Sequence, residues 1–479
     1  MLDLLTGLMA AADGQCSYAE ARHVADRRER IEVRGGRVER VDTGSSEGIG
    51  VRVRAGGAWG FAATTDVSPG GAQAALERAL ALAQALPAVP AAPLAAIGAP
   101  ARGRWASPRE RDPFEVGLEE KLALLTAAEA ALGADARIVR TEASCLSTAT
   151  TTAFASTDGA ACVQEVTACG GGIQAWAASD GELQVRSYPS AHGGDVAQAG
   201  WEHLLGLDLV AHAPRVAEEA VALLTAPPCP AGRTTLVLGS EQLALQVHES
   251  IGHALELDRI LLGEASYAGT SWVEAADLGT LRYGSEHLDV TADATAPGGL
   301  GTFGWDDEGV AADVRPLVEG GVLRGALSDR ESAAAVGLER SGGCARADGF
   351  ARQPLVRMTN VSLQPGAAGS LDALVADTDE GVFMETNRSW SIDDRRLGFQ
   401  FATEVAYEIR GGQLGRLLRN PSYAGVTPRF WASMDAVCSP PHWRLHGLLN
   451  CGKGEPGQVM RVSHGAPPAR FRDVEIGVA

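Results

Sequence analysis

The chain has 479 residues and a formal net charge of −19, and this composition excludes several classes of protein. Nucleic-acid binding depends on basic surfaces that neutralise phosphates, and this acidic sequence carries no basic stripe. No apolar run approaches the roughly 18 residues that cross a membrane, and the first residues lack the basic segment of a signal peptide. The eight cysteines show no C-x-x-C spacing. We therefore expect a cytoplasmic protein that binds neither nucleic acid nor membrane.

Short alternating apolar segments flank pairs of turn residues along the whole chain. A two-residue hairpin turn requires positive φ, which glycine adopts readily, so each pair predicts an antiparallel hairpin. The pairs are Gly35-Gly36, Gly56-Gly57, Asp158-Gly159, Asp180-Gly181, Gly320-Gly321 and Gly411-Gly412.

Helical spacing of Ala, Leu and Glu predicts helices over residues 72–86, 118–132 and 215–226. The Pro- and Ala-rich segment 87–103 is typical of an exposed loop. A boundary between two domains is predicted at "APPCPAGR" (226–233), after which strand patterns dominate. We predict an α+β fold with an N-terminal α+β domain (1–225) of antiparallel hairpins and helices. The second domain (226–479) is expected to be β-rich and to carry one prominent helix.

That helix is predicted in "LALQVHESIGHALELD", which follows a predicted strand over residues 233–240, with Ser240 as its N-cap. A buried stripe at every fourth position is formed by Leu243, Val247, Ile251 and Leu255. His248, Glu249 and His253 lie beside this stripe. Their order resembles the zinc-binding sequence H-E-x-x-H with one additional residue.

The additional residue changes the geometry of the pair. In an α-helix, residues five apart are rotated by roughly 140° from each other, whereas residues four apart are only about 40° out of line. His248 and His253 can therefore reach one metal only if the helix widens into a π turn, most easily at Gly252, or if it bends or ends there. The alternative is two histidines that are hydrogen-bonded in the core of the protein.

A catalytic zinc site needs a third protein ligand and a nearby carboxylate that acts on water. Cys451, in the Gly-rich segment "LLNCGKGEPGQ", is the best candidate for the third ligand, and Glu249 for the carboxylate. His446 lies close enough to Cys451 to replace one histidine. His464 has no metal-ligand spacing and is interpreted as an ordinary histidine.

Four segments of the C-terminal half resemble the TldD/PmbA family, specifically its TldD-type, metal-bearing members. They are "HESIGHALELD" (248–258), "WDDEG" (305–309), "RMTN" (357–360) and "CGKGEPGQ" (451–458). The resemblance implies a zinc-dependent peptidase with His248, His253 and Cys451 on the metal and Glu249 as base and proton shuttle.

The resemblance also implies a cytoplasmic dimer, either a homodimer or a heterodimer with a motif-less paralogous subunit, that encloses the site in a chamber. The implied substrates are unfolded or small peptides, including leader peptides. A non-catalytic binding or regulatory subunit with a structural zinc remains the alternative. Its closed site would need a fourth ligand, with His446 or Cys438 as the first candidates.

Three further segments have two interpretations each. Residues 306–309 form either an acidic turn or part of a substrate channel. Residues 357–360 either bind a peptide terminus or end an exposed strand. We interpret "NRSWSIDDRR" (387–396) as a surface or interface loop.

Overall fold

A computed structural model of the protein describes residues 1–87, 92–133, 135–191, 193–265 and 269–477. The predicted loop over 87–103 falls partly outside the described residues, and its end forms a short strand. Among the described residues, no helix is long and apolar enough to cross a membrane.

The helices include all three that helical spacing predicted: the one over 118–132 has the predicted ends, and the other two begin and end earlier. The second begins at Pro69 because the Ser68 hydroxyl caps it by accepting a hydrogen bond from the Gly71 N–H at 3.2 Å. The α-helices are α1 (Leu2–Ala12), α2 (Pro69–Ala85), α3 (Leu118–Leu132), α4 (Trp201–Gly206), α5 (Leu209–Leu223), α6 (Ser240–Val247), α7 (Leu257–Ile260), α8 (Arg330–Ala335), α9 (Leu371–Ala376) and α10 (Thr427–Ala432).

The first eight strands form one sheet, in the order β3-β2-β1-β5-β6-β4, with β7 and β8 also pairing with β6. The paired strands are antiparallel except β4 and β6, and the glycine-containing turns lie where the sequence predicts them. These strands are β1 (Tyr18–Arg34), β2 (Arg37–Ala55), β3 (Ala58–Thr64), β4 (Arg102–Ala106), β5 (Ile138–Ser156), β6 (Ala161–Ser179), β7 (Glu182–Tyr188) and β8 (Asp195–Ala197).

The remaining strands begin at residue 232 and form a seven-stranded sheet, a six-stranded sheet and a two-stranded sheet. They are β9 (Gly232–Leu238), β10 (Val290–Asp293), β11 (Val314–Glu319), β12 (Val322–Leu323), β13 (Ala345–Arg346), β14 (Leu355–Val356), β15 (Asn360–Leu363), β16 (Glu380–Ile392), β17 (Gly398–Arg410), β18 (Gln413–Leu418), β19 (Ser422–Val426), β20 (Met434–Val437), β21 (Arg444–Lys453), β22 (Gln458–Ala466) and β23 (Ala469–Ile476).

Helix α6 packs against strands of both large C-terminal sheets. It contacts β16 of the seven-stranded sheet and β15, β21 and β22 of the six-stranded sheet. The apolar side chains of α6 and of both sheets form one continuous buried cluster. The predicted α+β fold is confirmed, and its largest core surrounds the helix that carries the two histidines.

Buried ion pairs join the two halves of the chain. Arg186 on β7 contacts Glu404 on β17 at 3.1 Å, and Glu404 also accepts a hydrogen bond from the Ser187 hydroxyl at 2.6 Å. Burial raises the pKa of the Glu404 carboxyl to about 7, although Arg186 acts to lower it. A buried charge that loses its partner is costly. Any movement that separates Arg186 from Glu404 is therefore unfavourable, and the pair favours one orientation of the two halves. The division at residues 225–226 stays a prediction.

Candidate metal centre

The buried stripe is confirmed, because Leu243 and Val247 on α6 and Ile251 and Leu255 in the turns that follow it are all fully buried. The predicted N-cap is wrong: Gly239 caps the helix, and Ser240 occupies its first turn. The Ser240 hydroxyl donates instead to the Ala466 carbonyl at 2.5 Å, which attaches the start of the helix to β22. The buried side chains of Leu243 and Val247, together with this contact, fix the position of α6, which ends directly before His248.

Helix α6 widens into a π turn at His248–Gly252, as one of the two alternatives predicts. The His253 N–H donates to the His248 carbonyl, five residues earlier, and a 3-10 turn (His253–Leu255) follows. The additional residue is thereby absorbed, and the two imidazole rings have centroids 4.7 Å apart. The helical segment then ends at Glu256, which has an extended backbone.

Gly252 permits this turn for a reason other than flexibility. Its φ of −53° and ψ of −61° are helical, so any residue could adopt its backbone conformation. A Cβ atom there would lie 2.1 Å from the Sδ atom of Met358, whose side chain is buried. A larger residue at position 252 would force the Met358 side chain to move, so the packing of Met358 against the π turn favours glycine.

Cys451 joins the two histidines from a position 198 residues further along the chain. One ligand atom from each of His248, His253 and Cys451 lies within 4.8 Å of the other two, and all three residues are buried. The Cys451 Sγ is 3.5 Å from Nε2 of His253. The structure therefore brings together the residues that the sequence nominates as ligands.

Arg357 holds the backbone that carries Cys451. Its guanidinium is fully buried and donates to the carbonyls of Cys451 and, at 3.3 Å, of Gln458. The interpretation of residues 357–360 as an exposed strand end is therefore wrong. Arg357 joins the two sides of the β21–β22 hairpin beside the cluster.

Burial sets the protonation of the three side chains. It lowers the pKa of His253 to about 3 and the pKa of His248 well below its usual value, so both rings are neutral, which is the form that binds metals. Burial raises the pKa of the Cys451 thiol. A bound cation would reverse that shift, because a coordinating thiol loses its proton.

His253 is oriented by a buried carboxylate that the sequence analysis does not identify. Its Nδ1 lies 3.0 Å from Oε2 of Glu256, and the same oxygen accepts from Nε of Arg259 at 2.6 Å. Lys453 approaches that oxygen to 3.2 Å. Burial alone would raise the pKa of Glu256, but Lys453, His253 and Arg259 hold it well below its usual value. The sequence pattern that could have predicted this contact is the position of Glu256, three residues after His253.

His248 is in turn hydrogen-bonded to His464, whose position in the sequence shows no metal-ligand spacing. The Nδ1 atom of His248 lies 2.7 Å from Nε2 of His464, and Nδ1 of His464 lies 2.7 Å from the Val361 carbonyl. Both rings are buried. His464 lies on β22, and no local sequence pattern links it to the helix.

Glu249 faces the same space as the two histidines. Its Oε1 lies 4.0 Å from Nε2 of His248, while its Oε2 accepts a hydrogen bond from Nη1 of Arg396 at 2.6 Å. Burial raises the pKa of the Glu249 carboxyl, and Arg396 and a hydrogen bond from Trp390 oppose that rise. One oxygen is thus anchored and the other is directed towards the histidines.

The prediction of a surface or interface loop over residues 387–396 is wrong for residues 387–392, which belong to strand β16, and for Arg396, whose side chain is buried. Arg396 has a φ of 62°, a left-handed conformation that is costly for a residue with a side chain. The Asp393 carboxylate holds the loop by accepting from the N–H groups of Leu397 and Gly398 at 2.9 and 2.7 Å. The loop between β16 and β17 therefore places the guanidinium group of Arg396 beside the carboxylate of Glu249.

The two proposed substitute ligands lie elsewhere. His446 contacts the Ser240 hydroxyl at 2.8 Å, and Cys438 packs in a separate cluster with Val237 and Phe383. Within the described ranges, His248, His253 and Cys451 form the one group of His, Cys, Asp or Glu side chains close enough to share a metal. That leaves three protein ligands, the number typical of catalytic zinc sites.

The acidic segment 306–309 forms a turn, in which the Gly309 N–H donates to the Asp306 carbonyl at 3.0 Å, and its place in a substrate channel stays a prediction. Asp306 and Glu308 are buried, and the Asp306 carboxylate accepts from the N–H groups of Glu308 and Val310 at 3.0 and 2.8 Å. Asp306 and Asp307 also line a cavity of about 480 Å³ between the first sheet and β22.

Comparison with protein families places this chain among the PmbA/TldA metallopeptidases. Residues 231–478 match the PmbA/TldA metallopeptidase C-terminal domain, residues 19–83 match domain 1 and residues 111–226 match the central domain. The chain belongs to this family, also named TldD/PmbA.

A relative from Methanothermobacter thermautotrophicus, named a metalloprotease, is 31% identical over 99% of this chain and 98% of its own length. A protein of Saccharolobus solfataricus named a zinc metalloprotease TldD homolog is 26% identical over 52% of each chain. The crystal structure of TldE from Thermococcus kodakarensis has the same fold, with a TM-score of 0.73 and 16% identity over 99% of this chain and all of that one (100%).

The buried charges around Glu256 generate a stability prediction. Lys453 contacts Asp258 at 2.8 Å and Glu256 at 3.2 Å. Lys453→Met leaves both carboxylates without this cation, so we expect the free energy of unfolding to fall by about 3–5 kcal/mol in urea titrations of the metal-free protein. The exposed pair Arg416–Glu408 is the control, because Arg416→Met should cost at most about 1 kcal/mol. Equal losses in both variants would contradict this role.

Proposed function

We propose that the protein is a zinc-dependent peptidase in which His248, His253 and Cys451 hold the metal. The observation that carries the proposal is the cluster itself: two neutral imidazoles and a thiol, all buried, with ligand atoms within 4.8 Å of one another. This donor set suits zinc, which binds nitrogen and sulfur ligands in a tetrahedron. The Nδ1 contact of His253 with Glu256 leaves its Nε2 lone pair available to the metal.

When bound, zinc acts as a Lewis acid that polarises a carbonyl oxygen and makes water a stronger acid. Glu249 takes a proton from the attacking water at Oε1, the oxygen 4.0 Å from Nε2 of His248. Arg396 holds the other oxygen, Oε2, and so keeps the carboxylate in place during the transfer. Glu249 then donates this proton to the departing amine, and the peptide bond is hydrolysed.

The substrates we propose are unfolded or small peptides, including leader peptides, and the site of action is the cytoplasm. The active assembly is a dimer, either of this chain or with a motif-less paralogous subunit, that encloses the site in a chamber. The retention of all four site residues in this chain supports its assignment as the active subunit. Light scattering on the protein, alone and mixed with such a paralogue, measures the assembly.

The second candidate function is a binding subunit with a structural zinc. A structural site has four protein ligands, and the two residues nominated for the fourth position, His446 and Cys438, have other contacts. Cleavage of an unstructured peptide that stops when a chelator is added, tested with and without a paralogous subunit, distinguishes the two functions.

Glu249→Gln should keep the metal and lose hydrolysis. The amide fits the same space but cannot accept the proton of water, so we expect turnover to fall at least about 100-fold, the scale of general base catalysis. The measurements are zinc content by elemental analysis and cleavage of an unstructured fluorogenic peptide. The exposed Glu319→Gln is the matched control and should retain the activity of the unchanged protein. Hydrolysis at the unchanged rate in Glu249→Gln would make the assigned role wrong.

Cys451→Ala should lose the metal. We expect about one zinc per chain in the unchanged protein and a large loss in this variant, because two imidazoles alone leave an incomplete tetrahedron. Cys438→Ala is the matched control, since Cys438 is equally buried but lies in a separate cluster. Elemental analysis after dialysis checks both. Full zinc occupancy in Cys451→Ala would remove Cys451 from the site.

A further inference from the structure

His464 ends a chain of two short hydrogen bonds that begins at a proposed ligand. Nδ1 of His464 lies 2.7 Å from the Val361 carbonyl, and Nε2 of His464 lies 2.7 Å from Nδ1 of His248. A carbonyl oxygen only accepts hydrogen bonds, so Nδ1 of His464 carries a proton. In the neutral ring the opposite nitrogen, Nε2, is then an acceptor.

The direction of the second bond follows from the first. Because Nε2 of His464 accepts, Nδ1 of His248 must donate, and it therefore carries the proton of that ring. The lone pair of His248 is then on Nε2, the nitrogen that lies 4.0 Å from Oε1 of Glu249. The chain of bonds directs this lone pair into the space shared by the cluster and the base.

The backbone on both sides of His464 is held by side-chain contacts. The Ser463 hydroxyl accepts from the Leu300 N–H at 2.9 Å, and the Gly465 N–H donates to the Ser362 hydroxyl at 2.8 Å. Asn360 on β15 pairs in register with Ser463. The His464 ring is only 2% exposed. An acceptor held this firmly fixes the orientation of the ring it contacts.

We propose that His464 is a positioning residue that fixes the tautomer and orientation of His248 so that its Nε2 binds the metal. This inference rests on the proposed function, since it concerns the same metal. His253 is fixed by the anionic Glu256, whereas His248 is fixed by a neutral ring. A neutral acceptor orients the ligand without adding negative charge to the site. His464 itself does not bind the metal, because its Nε2 lone pair is engaged with His248.

The test measures zinc affinity by competition with a chromophoric chelator, using the purified full-length protein. His464→Leu removes the acceptor, and we expect the dissociation constant for zinc to rise by about 10- to 100-fold, the usual effect of losing a ligand-orienting partner. His464→Gln supplies an amide oxygen that accepts and an amide N–H that donates, and it should restore most of the affinity. If the leucine variant does not fold, His464→Met replaces it with the same expected loss.

His446→Leu is the matched control. His446 pairs directly with His464 across β21 and β22, but it contacts Ser240 rather than a proposed ligand. We expect its zinc affinity to stay near that of the unchanged protein, whatever the effect on the thermal midpoint of the metal-free form. This comparison separates a role in metal binding from a role in packing.

Three results would overturn the inference: unchanged affinity in His464→Leu, an equal loss in His446→Leu, or no recovery in His464→Gln. Zinc binding abolished in both His464 variants, glutamine included, would make His464 a ligand and also contradict it. If the unchanged protein bound no zinc, the proposed function would fail first and this inference with it. Unchanged binding in His464→Leu alone leaves the proposed function standing.

Discussion

In the π turn His248–Gly252, five residues occupy a turn that an α-helix closes with four, and the site depends on this backbone irregularity. A regular helix would place His248 and His253 roughly 140° apart, so no single cation could contact both. Met358, from a distant part of the chain, packs against the turn at Gly252, where a Cβ atom would lie 2.1 Å from its Sδ atom and would force that side chain to move. The turn is therefore packed tightly against a distant segment of the chain.

Both histidines and the glutamate of the site are oriented by a further buried side chain. Glu256 holds His253, His464 holds His248 and Arg396 holds Glu249. These partners come from the end of the helix, from β22 and from the loop between β16 and β17. Since all of them are buried, each contact forms in a low-dielectric setting where hydrogen bonds and ion pairs are strong and their loss is costly. The core of the C-terminal half thus supplies both stability and the geometry of the site.

The charges around the cluster are balanced in pairs. Glu256 is compensated by Arg259 and Lys453, and Glu249 by Arg396. These cations oppose a burial that by itself favours the neutral forms: the pKa of Glu256 stays well below its usual value, whereas that of Glu249 is raised although Arg396 acts to lower it. The two carboxylates consequently differ in role: Glu256 uses its charge to orient a ring, while Glu249 keeps one oxygen directed towards the space beside Nε2 of His248.

The sequence by itself determined the hairpins, because Gly-Gly and Asp-Gly turns need positive φ, and the helices, because their spacing is local. It also determined the ligand candidates and the family, since "HESIGH" and "CGKGEPGQ" are short, specific patterns. Only the tertiary structure decided the contacts of His464 and Arg396, which lie 216 and 147 residues from their partners. No local pattern encodes such pairs: a lone histidine on a strand and an arginine in a charged segment are usually ordinary. Likewise, the sequence indicated that the helix would widen near Gly252. The contact of Met358 with that glycine could not be predicted, because it depends on packing between distant segments.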